Sequence, residues 1–213
     1  MSAGLNLSET KALLSAAARS VILSKDRLTK ADQDIGDGDH GVGMARGFTA
    51  FDQAIAKEAH SIQELFRGCG RALMMASGGA SGVIFGTLFQ GAAQTVKGDV
   101  FDAEALVLAL EGGLKAVQGR GKAKIGDKTM VDALAPAAEA ARKTFVGGGS
   151  LEQVAAAAAQ AAGEGLEATR GWVAKIGKAK GLGEQTVGFV DPGALTMSIL
   201  LDSIAATLRS RPR

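Results

Sequence analysis

Apolar residues recur three and four positions apart along most of this chain, the spacing that keeps one face of an α-helix out of water. Between about Leu7 and Leu28 the series Leu14, Ala17, Val21 and Leu28 marks one such face. Asn6, with Glu9 three residues on, supplies an N-terminal cap, and the first helix is predicted to end near Lys30. The same pattern predicts helices over about 45–59, 61–77, 82–97, 102–118, 128–145, 150–175 and 192–209, and no run alternates in the manner of a strand. Ser150, after the glycines at 147–149, and Pro192, after Asp191, stand where helix starts favour them. About eight helices with short links favour antiparallel neighbours. The expectation is an all-α, single-domain barrel or bundle over residues 1–213, with glycine-rich loops collected at its ends.

Composition strengthens this picture. Alanine runs such as VAAAAAQAA (154–162), the absence of Tyr, the single Trp and the three prolines all favour helix over strand. With 213 residues, 46% of them apolar, the chain can bury one sizeable core. A formal net charge of +2 leaves no electrostatic footprint for nucleic acid, and Arg209, Arg211 and Arg213 read as a solvated basic tail. The lone Cys69 excludes a disulfide framework or a cysteine-cluster zinc site; it reads as a core thiol and fits a reducing cytoplasm. No stretch reaches the roughly 18 consecutive apolar residues of a membrane span. The N-terminus lacks a basic region followed by an apolar signal core, so a cytoplasmic protein without a membrane partner is expected.

The densest chemistry lies in ADQDIGDGDHGVGMARGF (31–48), where Asp32, Asp34, Asp37 and Asp39 fall within eight residues. Carboxylates so crowded repel one another unless a cation sits among them. Mg²⁺, which takes few carboxylates plus waters and phosphate oxygens, suits this loop. Asp37 and Asp39 alternate and can point to one side, Asp32 at a helix end can close the site, and Asp34 is expected to face away. A helix–loop–helix calcium site is excluded, because from Asp32 the sixth and twelfth positions hold Asp37 and Gly43 instead of Gly and Glu. Gly36, Gly38 and Gly41 match a dinucleotide fingerprint formally, but ADQDI before them is no hydrophobic strand. The structural alternative is a solvated acidic turn capping the next helix. His40 directly follows the acids, whereas His60 reads as an ordinary surface residue.

Three further segments can cradle a phosphate or nucleotide. SGGASGVIFGTLF (77–89) runs small residues into an apolar helix, whose first amides attract anions. GRGKAKIGDKTMVDALAP (119–136) nearly spells a P-loop, but Asp127 intrudes before Lys128 and no strand precedes it, so a P-loop ATPase is rejected. IGKAKGLGEQTVGFVDPGALTM (176–197) combines glycines, charges and the turn Asp191-Pro192-Gly193 in a loop long enough to suggest function.

Taken together, DIGDGDHGVGMARGF, GGASGVIFGTLF, RGKAKIGDKTM and GLGEQTVGFVDPGA resemble, in order and spacing, the nucleotide-binding L subunit of dihydroxyacetone kinases over nearly the whole chain. The resemblance implies a barrel of eight antiparallel helices holding ADP or ATP at one end through two Mg²⁺ ions. It implies metal ligation by Asp32, Asp37 and Asp39, the three acids already singled out. It further implies a nucleotide pocket bordered by His40, Gly41, Val42, Gly43, Ala80, Ser81, Gly121, Met130, Lys178, Asp191, Pro192 and Gly193. The partners implied are a K subunit, which holds the ketose covalently on a histidine, and a phosphotransferase-system phosphocarrier that recharges bound ADP. No general base for the sugar is implied in this chain, in keeping with a phosphoryl transfer that runs on positioning and charge neutralisation.

The chain departs from that family pattern at Gly43 (usually Asn), Lys178 (usually Arg), Lys180-Gly181 (usually Ser-Tyr) and Gln185 (usually a second Arg). An ammonium grips phosphate as a point charge where a guanidinium forms two aligned bonds. Two alternatives stay open at this stage, an ATP-exchanging subunit for another ketose and a nucleotide-loaded regulatory module without turnover; a relative of the fatty-acid kinases is disfavoured, because their nucleotide domain belongs to a much longer chain.

Overall fold

The computed structural model describes residues 4–211; Pro212 and Arg213 of the basic tail lie outside the described residues. Nine α-helices account for most of it: α1 Leu7–Leu23, α2 Lys25–Gln33, α3 His40–Ile55, α4 Ile62–Ser77, α5 Gly79–Thr95, α6 Ala103–Gly121, α7 Val131–Val146, α8 Leu151–Ala168 and α9 Pro192–Arg209. Among the described residues the only β-type pairing is an isolated antiparallel bridge between Leu5 and Phe101.

Leaving α2 aside, the helices form a closed ring in chain order: α1 packs on α3, α3 on α4, and so on to α9, which returns to α1. The short α2 lies across this ring, against α3 and α9. Consecutive helices that pack along each other across short links must run antiparallel. The ring encloses an apolar core in which Phe48, Phe51, Phe66, Phe85 and Phe89 meet Leu13, Leu14, Leu88, Leu106 and Leu200. Phe51 and Phe89 stand 4.6 Å apart between ring centroids, and a void of about 50 Å³ lies among the core side chains. Cys69 is buried in this core, which pushes its thiol up to about 12 and removes it from thiolate chemistry. No helix among the described residues is long and apolar enough to cross a membrane.

Several local signals act as the sequence suggests. Asn6 and Glu9 form a reciprocal capping box, as do Ser150 and Gln153, and Asp191 caps α9 with Pro192 at its start. Three boundaries differ from expectation. The first helix breaks at Ser24, whose hydroxyl donates to the Ser20 carbonyl at 2.8 Å; the chain turns there so that α2 can bury Leu28. Helix α3 begins at His40, not near residue 45, even though Gly41, Gly43 and Gly47 lie in its first half. The last helix before the long connection ends at Ala168, and the chain continues through 3-10 turns at Thr169–Gly171 and Lys178–Thr186.

Much of the ring closes on small residues. A Cβ at Gly91 in α5 would collide with the Gly112 carbonyl oxygen and the Ala116 side chain of α6, so these two helices touch backbone to backbone. Gly68 on α4, in contrast, faces open space. Gly91→Ala should therefore lower stability by about 1–3 kcal/mol, while Gly68→Ala should raise it by about 0.5–1 kcal/mol through helix propensity. Urea denaturation followed by circular dichroism measures both; equal effects would contradict the close α5–α6 approach.

Candidate nucleotide and metal site

Four helix starts converge on one end of the ring. His40 opens α3, Gly79 opens α5, Met130 caps α7 and Pro192 opens α9, and all four line a cavity of about 510 Å³. Aligned peptide dipoles, joined at the start of α5 by uncapped amides, make such a convergence attractive to anions. The turn from α4 into α5 is a single residue wide, which Gly78 and Gly79 allow at φ 71° and 63°.

The acidic loop sits at the rim of this cavity. Asp32, Asp37 and Asp39 each bring a carboxylate oxygen within 4.8 Å of the other two. Asp32 ends α2, is 8% exposed, and accepts a hydrogen bond from the His40 backbone N–H at 3.0 Å. Asp37 and Asp39 are open to solvent and both accept from the Lys178 ammonium, at 2.6 and 2.7 Å. Those two bonds raise the Lys178 ammonium above its ordinary range, and Lys178 in turn holds the Asp37 carboxyl below the usual carboxylate range. Asp34 turns away and pairs with Lys30 one helical turn back.

His40 is buried at the wall between α5 and α9. Its Nδ1 lies 3.1 Å from the Ser81 hydroxyl and its Nε2 2.8 Å from the Thr196 hydroxyl. Thr196 also donates to the Pro192 carbonyl, so an imidazole Nε2–H donating to Thr196 completes a consistent chain. Burial lowers the His40 pKa, against the attraction of Asp32 and Asp39 and the Pro192 carbonyl.

Of the other residues implicated by sequence, Val42, Gly43, Ala80, Ser81, Met130, Lys178, Asp191, Pro192 and Gly193 line the cavity. Gly41 does not: it is pressed against Thr29 and the Lys25 carbonyl, where any side chain would collide. Gly121 also lies off the cavity wall, beside Ile84, which is part of it. His60 is exposed near Glu58, as its surface reading implies.

Sequence reasoning assigned no role to three buried polar residues here. Thr196 anchors His40. Asp132 accepts from the Gly126 and Thr129 amides at 2.6 and 2.7 Å and so shapes the turn before α7. Lys128 is the third, 1% exposed and surrounded by backbone carbonyls. No local pattern marks any of them, since each partner set comes from a distant segment or from the fold of the turn itself.

An all-α barrel of this connectivity, with helix starts and a carboxylate cluster collected at one mouth, is the class that fold and site define. The chain belongs to the DAK2 domain family, whose model matches residues 34–206. It is 35% identical over 185 residues to the ADP-binding subunit of PEP-dependent dihydroxyacetone kinase 1 of Listeria innocua, covering 86% of this chain and 88% of that one. It is 36% identical to L-erythrulose kinase of Pectobacterium atrosepticum, with 91% of this chain matching 34% of that protein. The crystal structure of the dihydroxyacetone kinase of C. freundii in its native form superposes with a TM-score of 0.71 at 26% identity, over 92% of this chain and 34% of that one. This chain thus spans about a third of that kinase.

Asp191 provides a test of the cavity wall. Burial is the main cause that pushes its carboxyl up to about 7, opposed by the Ala194 amide that it caps and assisted by nearby Asp132. For an acid whose folded pKa exceeds its unfolded value, the stabilising contribution is present at low pH and lost as pH rises toward the folded pKa. Between about pH 4 and pH 7 Asp191 should therefore draw stability down. Asp191→Asn keeps a capping oxygen and removes this slope, so variant and wild type should converge near pH 4 and diverge toward pH 7.5 in urea midpoints, the variant being the more stable. Parallel curves would contradict the buried carboxyl.

Proposed function

We propose that this chain is the nucleotide-binding subunit of a dihydroxyacetone-type kinase, working in the cytoplasm with ADP or ATP and two Mg²⁺ ions. It transfers a phosphoryl group to a short-chain ketose, dihydroxyacetone or a four-carbon relative, held on a separate sugar-binding K subunit. A phosphotransferase-system phosphocarrier recharges the bound nucleotide. The observation that carries this reading is the gathering of Asp32, Asp37, Asp39 and Lys178 at the mouth of a cavity ringed by helix starts. Membership of the DAK2 family, a relative named as an ADP-binding kinase subunit and another named as an erythrulose kinase support it.

The donor set fits a hard divalent cation. Three hard carboxylate oxygens lie close enough to share ligands, one of them is fixed by burial, and a protein ammonium is already drawn to the other two. Asp32, Asp37 and Asp39 would hold the magnesium. When bound, a magnesium nucleotide supplies the transferable phosphoryl group together with the charge that offsets it.

The chain's own residues then do four things. Asp32 is locked by the His40 amide, and His40 is locked by Ser81 and Thr196, so the ligand cluster is oriented in advance. The first amides of α5, at Gly79, Ala80 and Ser81 on the cavity wall, have no side-chain cap and can donate to phosphate oxygens. Ile35, Ile84 and Ile176, with Met130, give the cavity an apolar wall suited to the face of a purine. Lys178 brings an exposed positive charge to the place where the phosphates would meet the acids. No residue in the cavity is assigned as a base for the sugar.

Asp37→Ala or Asp39→Ala should each weaken binding of ADP with Mg²⁺ by about tenfold or more, because a lost charged contact is worth upward of about 1.4 kcal/mol. Helical content should stay unchanged, since both side chains are solvent-exposed. Asp34→Ala, paired only with Lys30, should change affinity much less. Titration calorimetry decides; undiminished affinity in both of the first two variants would remove the metal assignment.

A second outcome concerns the division of labour. The purified chain alone should not phosphorylate dihydroxyacetone or erythrulose from ATP, and turnover should appear when a ketose-binding subunit and a phosphoenolpyruvate-driven relay are both added. Product assays with each component omitted in turn measure this. Efficient turnover by the chain alone would refute the need for a sugar-binding partner, and turnover on ATP without the relay would refute the recharging step.

A further inference from the structure

The connection between α8 and α9, residues 169–191, carries Lys178 and ends in the Asp191-Pro192-Gly193 corner of the cavity. Its apolar anchors lie at Ala174, which is buried, and at Ile176 and Val190, which are half-buried against the core. Leu182, Val187 and Phe189 are exposed, and its middle contains a kink at Gly183 with φ 54°. Apart from the small Ala174, its buried points are polar, and Thr169 and Thr186 are both fully enclosed.

Those polar points surround one group. The Lys128 ammonium donates to the carbonyls of Thr169 at 2.7 Å, Trp172 at 3.0 Å, Thr186 at 2.6 Å and Phe189 at 2.6 Å. Three ammonium protons thus serve four acceptors, all on the connection. The threonines extend the knot: Thr169 Oγ1 accepts from the Asp191 amide at 3.0 Å and Thr186 Oγ1 from the Ala174 amide at 3.0 Å. On the barrel side, Lys128 takes a left-handed backbone at φ 61°, in a turn shaped by Asp132.

A buried ammonium is costly unless its protons are satisfied, and an apolar side chain would pack the barrel mouth at less cost. Lys128 has no bonded carboxylate; Asp191 attracts it only from a distance, while burial lowers its pKa. What it gains is the shape of the connection.

We infer that Lys128 is a positioning residue that fastens the 169–191 connection over the barrel mouth and thereby sets Lys178 and the Asp191-Gly193 corner against the cavity. Its effect on nucleotide binding rests on the function proposed above; its effect on the connection does not.

The test uses Lys128→Met and Lys128→Ala in the full chain. Arg170, Lys175, Lys178 and Lys180 make the connection susceptible to trypsin once it opens. Native-state trypsin cleavage between residues 170 and 180 should speed up about tenfold or more in both variants, given the worth of hydrogen bonds to a charged donor. Circular dichroism should remain that of the wild type, and affinity for ADP with Mg²⁺ should fall by a similar factor. In Lys128→Ala, propylammonium, which replaces the missing atoms, should slow cleavage again, whereas tetramethylammonium of equal charge should not. Cleavage at the wild-type rate, or equal responses to the two amines, would overturn the inference. Should neither variant fold, ¹⁵N NMR of the wild type decides: one lysine ammonium signal should persist at neutral pH through slow exchange, and its absence would overturn the inference. Failure of the wild type to bind ADP would count against the function alone, because cleavage still reads the fastening.

Discussion

Repulsion among three carboxylates within 4.8 Å of one another is the constraint around which this mouth of the barrel is organised. It is resolved in two ways at once. Asp32 is taken out of water and given a backbone amide, and Asp37 and Asp39 are given an ammonium from a residue about 140 positions later in the chain. The first solution requires α3 to begin at His40, directly after the acids. The second requires the α8–α9 connection to reach back across the mouth, and the buried Lys128 knot beneath that connection meets the requirement. Charge in one loop therefore dictates where a helix starts, and how a segment on the opposite side of the ring is held.

Much of the architecture was legible because helical periodicity and capping residues act locally. Asn6 with Glu9, Ser150 with Gln153, and Asp191 before Pro192 each specify a helix start through bonds spanning three residues. The misplaced start of α3 has a definite cause. Glycines at 41, 43 and 47 look like a loop, yet Gly41 and Gly47 are small because α2 and the end of α4 press against α3 there. A close helix contact and a flexible loop ask for the same residue, and only the partner helix tells them apart. Likewise nothing in the run from Ser20 to Leu28 announces that the chain turns at Ser24.

In the site the same divide runs between local and distant causes. The alternation of Asp37 and Asp39, with Asp32 one helix end away, is a local pattern, and it singles out the acids that the fold brings together. Lys178 could be reached only through the family resemblance, since nothing near residue 178 points to residues 37 and 39. Lys128 looked like part of a failed phosphate loop. Its burial is decided by carbonyls 41 to 61 residues downstream, and carbonyls leave no trace in a sequence because every residue has one.

The charges around the cavity are graded in a manner that suits a polyanionic ligand. At the rim, the two exposed acids share a lysine, and a cation that took its place there would leave the core undisturbed. On the inner wall stands another carboxyl, Asp191, which as a permanent anion would repel phosphate. Burial raises it to about 7, so near neutral pH it carries only part of a charge, and the Lys128 ammonium on the same cavity attracts it. Four helix starts add positive potential. Negative charge is thus concentrated where a cation can neutralise it and diminished where phosphate oxygens would lie, a separation of opposite fields across one cavity that phosphoryl transfer by positioning requires.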